Sequence, residues 1–122
     1  MKQLISIEAI EKAASNIRDV AFETPLMFNL NQSQKWGANV YFKREDLQQV
    51  RSYKIRGAYN KISALTAAEL NRGVVCASAG NHGQGVALSC SRKKVHGVVF
   101  MPVPTPKQRW NRSKCLGAHL WK

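Results

Sequence analysis

VVCASAGNHG, residues 74–83, decides the fold of this chain, because an apolar run is followed there at once by a loop of small and polar residues. Residues 74–78 form a short apolar run after a glycine, and this pattern predicts a buried strand. The loop leads into residues 83–93, which predict a helix. A buried strand followed directly by a helix is the beginning of a βαβ unit, so the stretch predicts an α/β fold.

Strands and helices alternate on both sides of this unit. The predicted helices cover residues 6–20, 31–36, 52–65, 66–72, 83–93 and 106–116. The predicted strands cover residues 39–43, 74–78, 97–101 and 118–122. The order strand, helix, strand, helix, strand, helix, strand implies right-handed crossovers and one open parallel sheet.

The ends of several predicted helices carry capping residues. Ser6 and Ser52 stand where an N-cap is expected, and Thr66 with Glu69 forms a capping-box pattern. Gly37 follows the short second helix, as glycines at helix C-termini do. These signals support the predicted boundaries.

The composition is that of a globular protein with an unusual charge. The 122 residues include 19 basic and 7 acidic ones, which gives a formal net charge of +12. A nucleic-acid binder, a binder of anionic metabolites, or a fragment that lacks an acidic remainder would each explain this charge. The basic residues are spread along the chain with few aromatic residues among them, so we expect no specific nucleic-acid partner.

The sequence gives no sign of a membrane span or a secretory leader. Residues 1–8, MKQLISIE, lack a long apolar stretch, and no run reaches the length of a membrane span. We therefore expect a cytoplasmic protein.

The three cysteines predict neither disulfides nor a metal site. Cys76, Cys90 and Cys115 form no C-x-x-C pair, and their spacing to the histidines is not that of metal ligands. Cys76 in a strand and Cys90 on the apolar side of a helix are expected to be small buried hydrophobes.

Lys54 is the first candidate for chemistry. It stands at the beginning of a predicted helix, where the positive end of the helix dipole disfavours a charged amine. Arg56 would add positive potential beside it, and Gly57 with Ala58 would leave room for close helix packing. A partly deprotonated lysine amine can attack an aldehyde to form a Schiff base. Taken alone, Lys54 reads as an ordinary solvated helix lysine, and only its neighbours favour a role in chemistry.

The loop after the strand of residues 74–78 is the second candidate. Parallel α/β sheets bind ligands at the carboxyl ends of their strands, and a helix N-terminus there holds anions. Asn81 can donate and accept hydrogen bonds, which suits a phenolate or a carboxylate. His82 is expected to line the site or to be structural. An asparagine–glycine turn without a ligand is the alternative, but with Lys54 the loop predicts a site for an anionic cofactor that forms an imine.

Five segments resemble one enzyme family. They are FKREDLQ (42–48), RSYKIRGA (51–58), SAGNHGQGVA (78–87), FMP (100–102) and TPKQ (105–108). Together they resemble the serine/threonine dehydratases, pyridoxal-phosphate enzymes that include serine racemase and share the fold of tryptophan synthase β. The resemblance covers about residues 6 to 117. It implies an incomplete three-layer open parallel sheet, with residues 1–45 in the larger cofactor domain and residues 46–122 in a truncated small α/β domain.

The resemblance also implies roles for individual residues. Lys54 would hold pyridoxal 5'-phosphate as an imine, Asn81 would hydrogen-bond its 3-hydroxyl, and Tyr53 would be the aromatic neighbour of the cofactor. The loop that receives the substrate carboxylate would contain Ser78, Gly80 and His82. No metal is implied.

The reaction implied by the resemblance is a β-elimination in amino-acid metabolism, with isoleucine biosynthesis as the pathway. L-Threonine would give 2-oxobutanoate and ammonia, and L-serine would give pyruvate, with Lys54 removing the Cα proton and the cofactor phosphate assisting departure of the hydroxyl. Ala79 occupies the position where serine racemases carry a second serine as acid and base, so a dehydratase is favoured over a racemase. The full-length parent is expected to be a homo-oligomer.

The chain departs from the family in what it lacks. The glycine run that binds the cofactor phosphate is missing, and so is the later serine or cysteine that holds the pyridine nitrogen. We therefore expect an amino-terminal fragment that is inactive alone, and the alternative is a non-catalytic remnant or binding module of the same fold. Smaller departures are Gln49 in place of proline, Lys93-Lys94 in place of Leu-Gly, and tryptophans at positions 110 and 121.

Overall fold

The computed structural model describes residues 5–121. Two parts of the sequence-based predictions lie outside the described residues. One is residues 1–4 of the amino-terminal segment that was predicted not to be a leader. The other is Lys122, the last residue of the final predicted strand. The helices are α1 (Ile7–Ile17), α2 (Leu30–Trp36), α3 (Lys54–Ser63), α4 (Ala67–Arg72), α5 (Asn81–Lys93) and α6 (Lys107–Cys115). The strands are β1 (Leu26–Phe28), β2 (Tyr41–Lys43), β3 (Val74–Ala77), β4 (Gly97–Phe100) and β5 (His119–Trp121), and a short 3-10 turn covers Glu45–Leu47.

The predicted parallel sheet is confirmed for its last three strands. They lie in the order β3-β4-β5, all parallel, with Val74 opposite Gly97 and Val99 opposite Leu120. Helix α5 connects β3 to β4, and α6 connects β4 to β5. Val99 packs in one cluster with Ala87 of α5 and with residues of all three strands, so both helices cover the same face of the sheet.

The prediction of a single parallel sheet is wrong for the strand of residues 39–43. Its core, β2, pairs with β1 in a separate antiparallel sheet, in which Leu26 lies opposite Lys43 and Phe28 opposite Tyr41. Strand β1 has three residues, which is too short for an alternating pattern to reveal it. Alternation of elements therefore identified a strand without identifying its partner.

The capping predictions hold at most helix ends. The Ser6 hydroxyl accepts the N–H of Ala9, Thr66 and Glu69 form both bonds of the capping box, and Gly37 ends α2 in the left-handed conformation. Helix α1 ends at Ile17 rather than near residue 20. Its apolar stripe is exposed in the first turns, with Ile7 72% accessible, and buried at Ile17.

The helices that carry the candidate site pack closely on each other. Helix α3 lies across α5, and Gly85 permits the contact: a Cβ there would be 3.1 Å from the Lys54 carbonyl oxygen and 3.3 Å from the Ala58 Cβ. The expectation that Gly57 leaves room for helix packing is wrong, because a Cβ on Gly57 would meet no atom within 4 Å. Ala58 is buried at the contact as expected.

The three cysteines differ in burial: Cys90 is buried as expected, whereas Cys76 is only partly buried and Cys115 is exposed. Cys76, Cys90 and Cys115 are free, and burial raises the pKa of the Cys90 thiol to about 11. Within residues 5–121, no group of three or more histidine, cysteine or acidic side chains is placed to hold a metal ion. No helix among these residues is long and apolar enough to cross a membrane.

Candidate functional site

Lys54 is the first residue of α3, so it lies at the opening of a helix as expected. Tyr53 occupies the N-cap position, one residue later than expected for Ser52. The Ser52 hydroxyl still accepts the backbone N–H of Lys54 at 3.3 Å, so it satisfies one of the free donors of the helix N-terminus. The chain enters the helix through Arg51, whose φ of 58° is left-handed.

Tyr53 and Lys54 contact each other at the surface. The Lys54 Nζ lies 5.1 Å from the centre of the Tyr53 ring, which is a cation–π distance. The Tyr53 side chain is 59% exposed. The aromatic residue expected beside the cofactor therefore lies directly beside the candidate imine lysine.

The second candidate segment is partly helical rather than a loop. Helix α5 begins at Asn81, two residues earlier than predicted, so Asn81 and His82 lie in its first turn. Gly80 is the N-cap residue and its position carries no side-chain cap. The first-turn N–H groups of a helix lack helical partners and favour an anion.

Ser78 shapes the turn between β3 and α5. Its hydroxyl oxygen accepts the N–H of Gly80 at 3.2 Å and the N–H of Gly83 at 3.1 Å. A Cβ on Gly83 would lie 2.7 Å from the Ser78 carbonyl oxygen and 3.1 Å from Val99, so any larger residue would push the turn away from β4. The Ser78 N–H bonds to the Phe100 carbonyl, which holds the turn at the carboxyl end of the sheet.

His82 points toward α3. It lines a cavity of about 210 Å³ that also includes Gly57 and Lys61 of α3, Cys76 of β3 and Val86 of α5. Neither Lys54 nor Asn81 lines this cavity, so the expected role of His82 at the candidate site stays a prediction.

Arg109 is a site residue that sequence reasoning missed. It lies in the first turn of α6, and its Nη1 donates to the Ala79 carbonyl at 3.3 Å. A Cβ on Gly80 would be 3.8 Å from the same nitrogen. The available signal was the position of Arg109 just after the β4–α6 loop, since the carboxyl ends of neighbouring parallel strands share one edge of the sheet.

The sequence suggested that Arg56 would add positive potential beside Lys54, but its guanidinium is paired with a carboxylate. Its guanidinium donates to both carboxylate oxygens of Glu45, at 2.7 and 2.9 Å, and to the Phe22 carbonyl at 3.0 Å. The hydrogen bonds from Arg56 lower the pKa of Glu45 to about 2, helped by Thr24. The sequence places Arg56 correctly on the helix, but its partner is 11 residues away and only the fold brings them together.

Comparison with known proteins identifies the family of the chain. Residues 17–122 match the family described as pyridoxal-phosphate dependent enzymes. The chain is 49% identical to L-threonine dehydratase biosynthetic IlvA of Bacillus subtilis over 114 residues, which is 93% of this chain and 27% of the relative. It is also 49% identical over 117 residues to the protein of that name from Staphylococcus saprophyticus, covering 96% of this chain and 28% of the relative.

Solved structures give the same result. Maize serine racemase superposes with a TM-score of 0.92 at 31% identity, over 98% of this chain and 36% of the racemase. The processed form of threonine deaminase isoform 2 from Solanum lycopersicum superposes with a TM-score of 0.82 at 39% identity, over 96% of this chain and 34% of the deaminase. The chain thus spans little more than a quarter of the curated relatives and about a third of these two structures.

Proposed function

The chain belongs to the pyridoxal-phosphate dependent enzyme family, and on that basis we propose that it forms the amino-terminal part of the catalytic domain of a threonine dehydratase. The observation that carries the proposal is the junction of α3 and α5. Lys54 opens α3, and its carbonyl packs against Gly85 of α5, one turn beyond Asn81. A primary amine and a helix N-terminus at the carboxyl end of a parallel sheet suit an anionic aldehyde cofactor.

The residues of this chain fit one side of a pyridoxal phosphate molecule. Lys54 offers the amine for an imine with the aldehyde, and Asn81 offers an amide for the 3-hydroxyl. Tyr53 offers an aromatic ring 5.1 Å from the Lys54 amine. The eight glycines of the chain form no run, so the cradle for the phosphate has to come from outside these 122 residues.

The proposed reaction is the dehydration and deamination of L-threonine. When bound, the cofactor supplies an electron sink that acidifies the Cα–H bond of the attached amino acid. The Lys54 amine, when not bound to the cofactor, would accept the Cα proton on Nζ. The substrate carboxylate would lie at the turn of Ser78 and Gly80 and the first turn of α5 with His82. The Ser78 hydroxyl already accepts the Gly80 and Gly83 N–H groups, so the N–H groups of Asn81 and His82 and the helix dipole would favour the anion there.

The products follow from loss of the β-hydroxyl. The hydroxyl would leave as water by taking up one proton, which balances the proton that Lys54 accepts from Cα. Hydrolysis of the released enamine would return one water and give 2-oxobutanoate and ammonia. L-Serine, which lacks the β-methyl group, would give pyruvate. Ala79 supports elimination over racemisation, since its methyl group cannot exchange a proton on the opposite face of the substrate.

We assign residues 1–45 to the larger cofactor domain and residues 46–122 to the small domain. The separate antiparallel sheet of β1 and β2 supports a boundary near residue 45. The uncovered face of the parallel sheet, where Val75 is 67% and Trp121 61% exposed, supports a further layer from the rest of the parent, because parallel sheets are normally buried on both faces.

The setting of the reaction is inferred from the relatives. The bacterial relatives are named as biosynthetic threonine dehydratases, which supports a role in isoleucine biosynthesis. We also propose a cytoplasmic location, a free amino acid as substrate and a homo-oligomeric parent.

A chimera tests the proposal. The matching segment of the Bacillus subtilis relative is replaced by this chain, and threonine-dependent formation of 2-oxobutanoate is measured. We expect an active enzyme that loses at least about a thousandfold in kcat on Lys54→Ala, because the amine both holds the cofactor and moves the proton.

Lys61→Ala provides the matched control, since Lys61 lies on the same helix. It should leave kcat within about twofold, as expected for a lysine outside the chemistry. A chimera that is folded, binds pyridoxal phosphate and keeps full activity after Lys54→Ala would contradict the proposal.

A further inference from the structure

The Glu45–Arg56 ion pair joins three segments that are distant in sequence. Glu45 belongs to the 3-10 turn after β2, and Arg56 belongs to the first turn of α3. Arg56 also donates to the Phe22 carbonyl, and the Thr24 hydroxyl donates to Glu45 at 2.6 Å. The pair therefore ties the start of α3 to the 22–24 segment and to the turn at Glu45.

The Gln48 side chain belongs to the same hydrogen-bond network. Its side-chain oxygen accepts the Phe22 N–H at 3.0 Å, and its side-chain nitrogen donates to the Phe22 carbonyl at 2.8 Å. Only 1% of Gln48 is exposed. The segment to which Arg56 is tied is thus itself held in place by a buried amide.

The hydrogen-bond network contacts α3 on the side of the helix that faces away from α5. Arg56 follows Lys54 by two residues, and at 3.6 residues per turn the two side chains leave the helix about 200° apart. The opposite side of the first turn is in contact with α5, through the Lys54 carbonyl and Ala58 against Gly85. The first turn of α3 is therefore held between the ion pair and the neighbouring helix.

The ion pair is shielded enough to act as a fixed link. The side chain of Glu45 is 15% exposed and that of Arg56 is 34% exposed, and the guanidinium binds through two nitrogens. Two parallel charge-assisted bonds fix orientation as well as distance. The neighbouring pair of Arg44 and Asp46 has similar bond lengths, but its Asp46 side chain is 55% exposed and both partners lie on one local segment.

We propose that Glu45 and Arg56 are positioning residues for Lys54. They hold the first turn of α3 against α5, so that the Lys54 amine is presented from a fixed backbone next to the N-terminus of α5. The pair touches neither substrate nor cofactor and acts through the helix. The role in catalysis rests on the proposed function, whereas the role in holding α3 does not.

Amide hydrogen exchange of the 122-residue chain tests the link to the helix. The reporters are the N–H groups of Ala58 and Tyr59, whose helical partners are the carbonyls of Lys54 and Ile55. Glu45→Gln and Arg56→Gln should each speed their exchange about tenfold, and the double variant should add little to either single change. Arg56→Lys should lie between, since a lysine keeps one of the two bonds.

Asp46→Asn is the matched control, because it removes the adjacent carboxylate and its arginine bonds without touching α3. It should change exchange at Ala58 and Tyr59 by less than about twofold. Exchange in Glu45→Gln equal to that in Asp46→Asn would overturn the proposal.

Reductive labelling with pyridoxal phosphate and borohydride tests the consequence for the lysine. Peptide mass spectrometry gives the ratio of labelled Lys54 to labelled Lys61, and Glu45→Gln should lower this ratio about threefold. Faster exchange with an unchanged ratio would overturn the positioning role and leave a purely structural link. A wild-type chain without preference for Lys54 would instead count against the proposed function, while the exchange rates still decide whether the pair holds α3.

Discussion

At the residue scale, Glu45 stands out because its carboxylate accepts hydrogen bonds from the side chains of three residues. Arg56, Thr24 and Gln48 all donate to it, at distances from 2.6 to 3.5 Å. These bonds favour the ionised form, and the pKa of Glu45 falls from 4.5 to about 2. The unfolded chain offers no such partners, so ionisation of Glu45 is linked to folding.

Glu45 should make stability depend on pH in a defined window. Above about pH 4.5 the Glu45 carboxylate is ionised in both the folded and the unfolded state, and its full contribution to the free energy of unfolding is present. Between about pH 4.5 and pH 2 only the unfolded state takes up a proton, so the free energy of unfolding falls as the pH falls. Urea unfolding at a series of pH values should show this loss. Glu45→Gln should flatten the profile in that window, and an unchanged slope would show that the ion pair does not form.

Single residues also show what the sequence could and could not predict. The position of Lys54 at a helix start was predicted from local motifs, because such a position is defined by neighbours in the chain. Asn81 was predicted in the loop before the next helix, whereas it is the first residue of that helix. Arg109 was missed, since its partner Ala79 lies 30 residues away. The pairing of Arg56 was missed for the same reason.

At the element scale, the contact between α3 and α5 determines where Lys54 lies. Gly85 is the point of closest approach, and its backbone faces the Lys54 carbonyl. Gly57 was expected to have this function, but it faces open space. The sequence shows glycines in both helices, but it does not show which one meets another helix.

Alanine at these two glycines should give opposite results. Gly85→Ala brings a Cβ within 3.1 Å of backbone and should destabilise the chain by about 1–3 kcal/mol, as overpacking does. Gly57→Ala should stabilise it by about 0.5–1 kcal/mol through helix propensity. Urea unfolding measures both, and equal effects would argue against the described contact.

The end of α5 offers a second pair of substitutions. Lys94 is the C-cap with φ of 55°, and it occupies the position where a family glycine was expected. Lys94→Gly should therefore stabilise the chain by about 1 kcal/mol, because glycine adopts this conformation without strain. Lys93→Gly, one residue earlier within the helix, should destabilise it by about 1 kcal/mol. Thermal unfolding of the two variants should move in opposite directions.

At the scale of the whole molecule, the parallel sheet is covered on one face by α5 and α6. Val75, Phe100 and Trp121 are exposed on the other face. The chain has the length of about a quarter of its curated relatives. The exposed face and the absence of a glycine run are both what the proposed position within a larger catalytic domain predicts.

The purified 122-residue chain should not form 2-oxobutanoate from threonine. Without backbone N–H groups to hold the phosphate, several charge-assisted bonds to the cofactor are lost, and occupancy should be low at micromolar pyridoxal phosphate. Formation of 2-oxobutanoate is measured against the Lys54→Ala chain as background. Lysine-dependent turnover by the isolated chain would refute this prediction.

The sequence alone determined the helices, most of their caps, the three strands of the parallel sheet and the family motifs around Lys54 and Asn81. These features depend on residues that are close in the chain, where capping, periodicity and turn chemistry act. The tertiary structure alone decided that β2 pairs antiparallel with β1, that Gly85 rather than Gly57 admits the neighbouring helix, and that Arg56 binds Glu45. Each of these depends on packing between distant segments, which periodicity and local propensity do not encode.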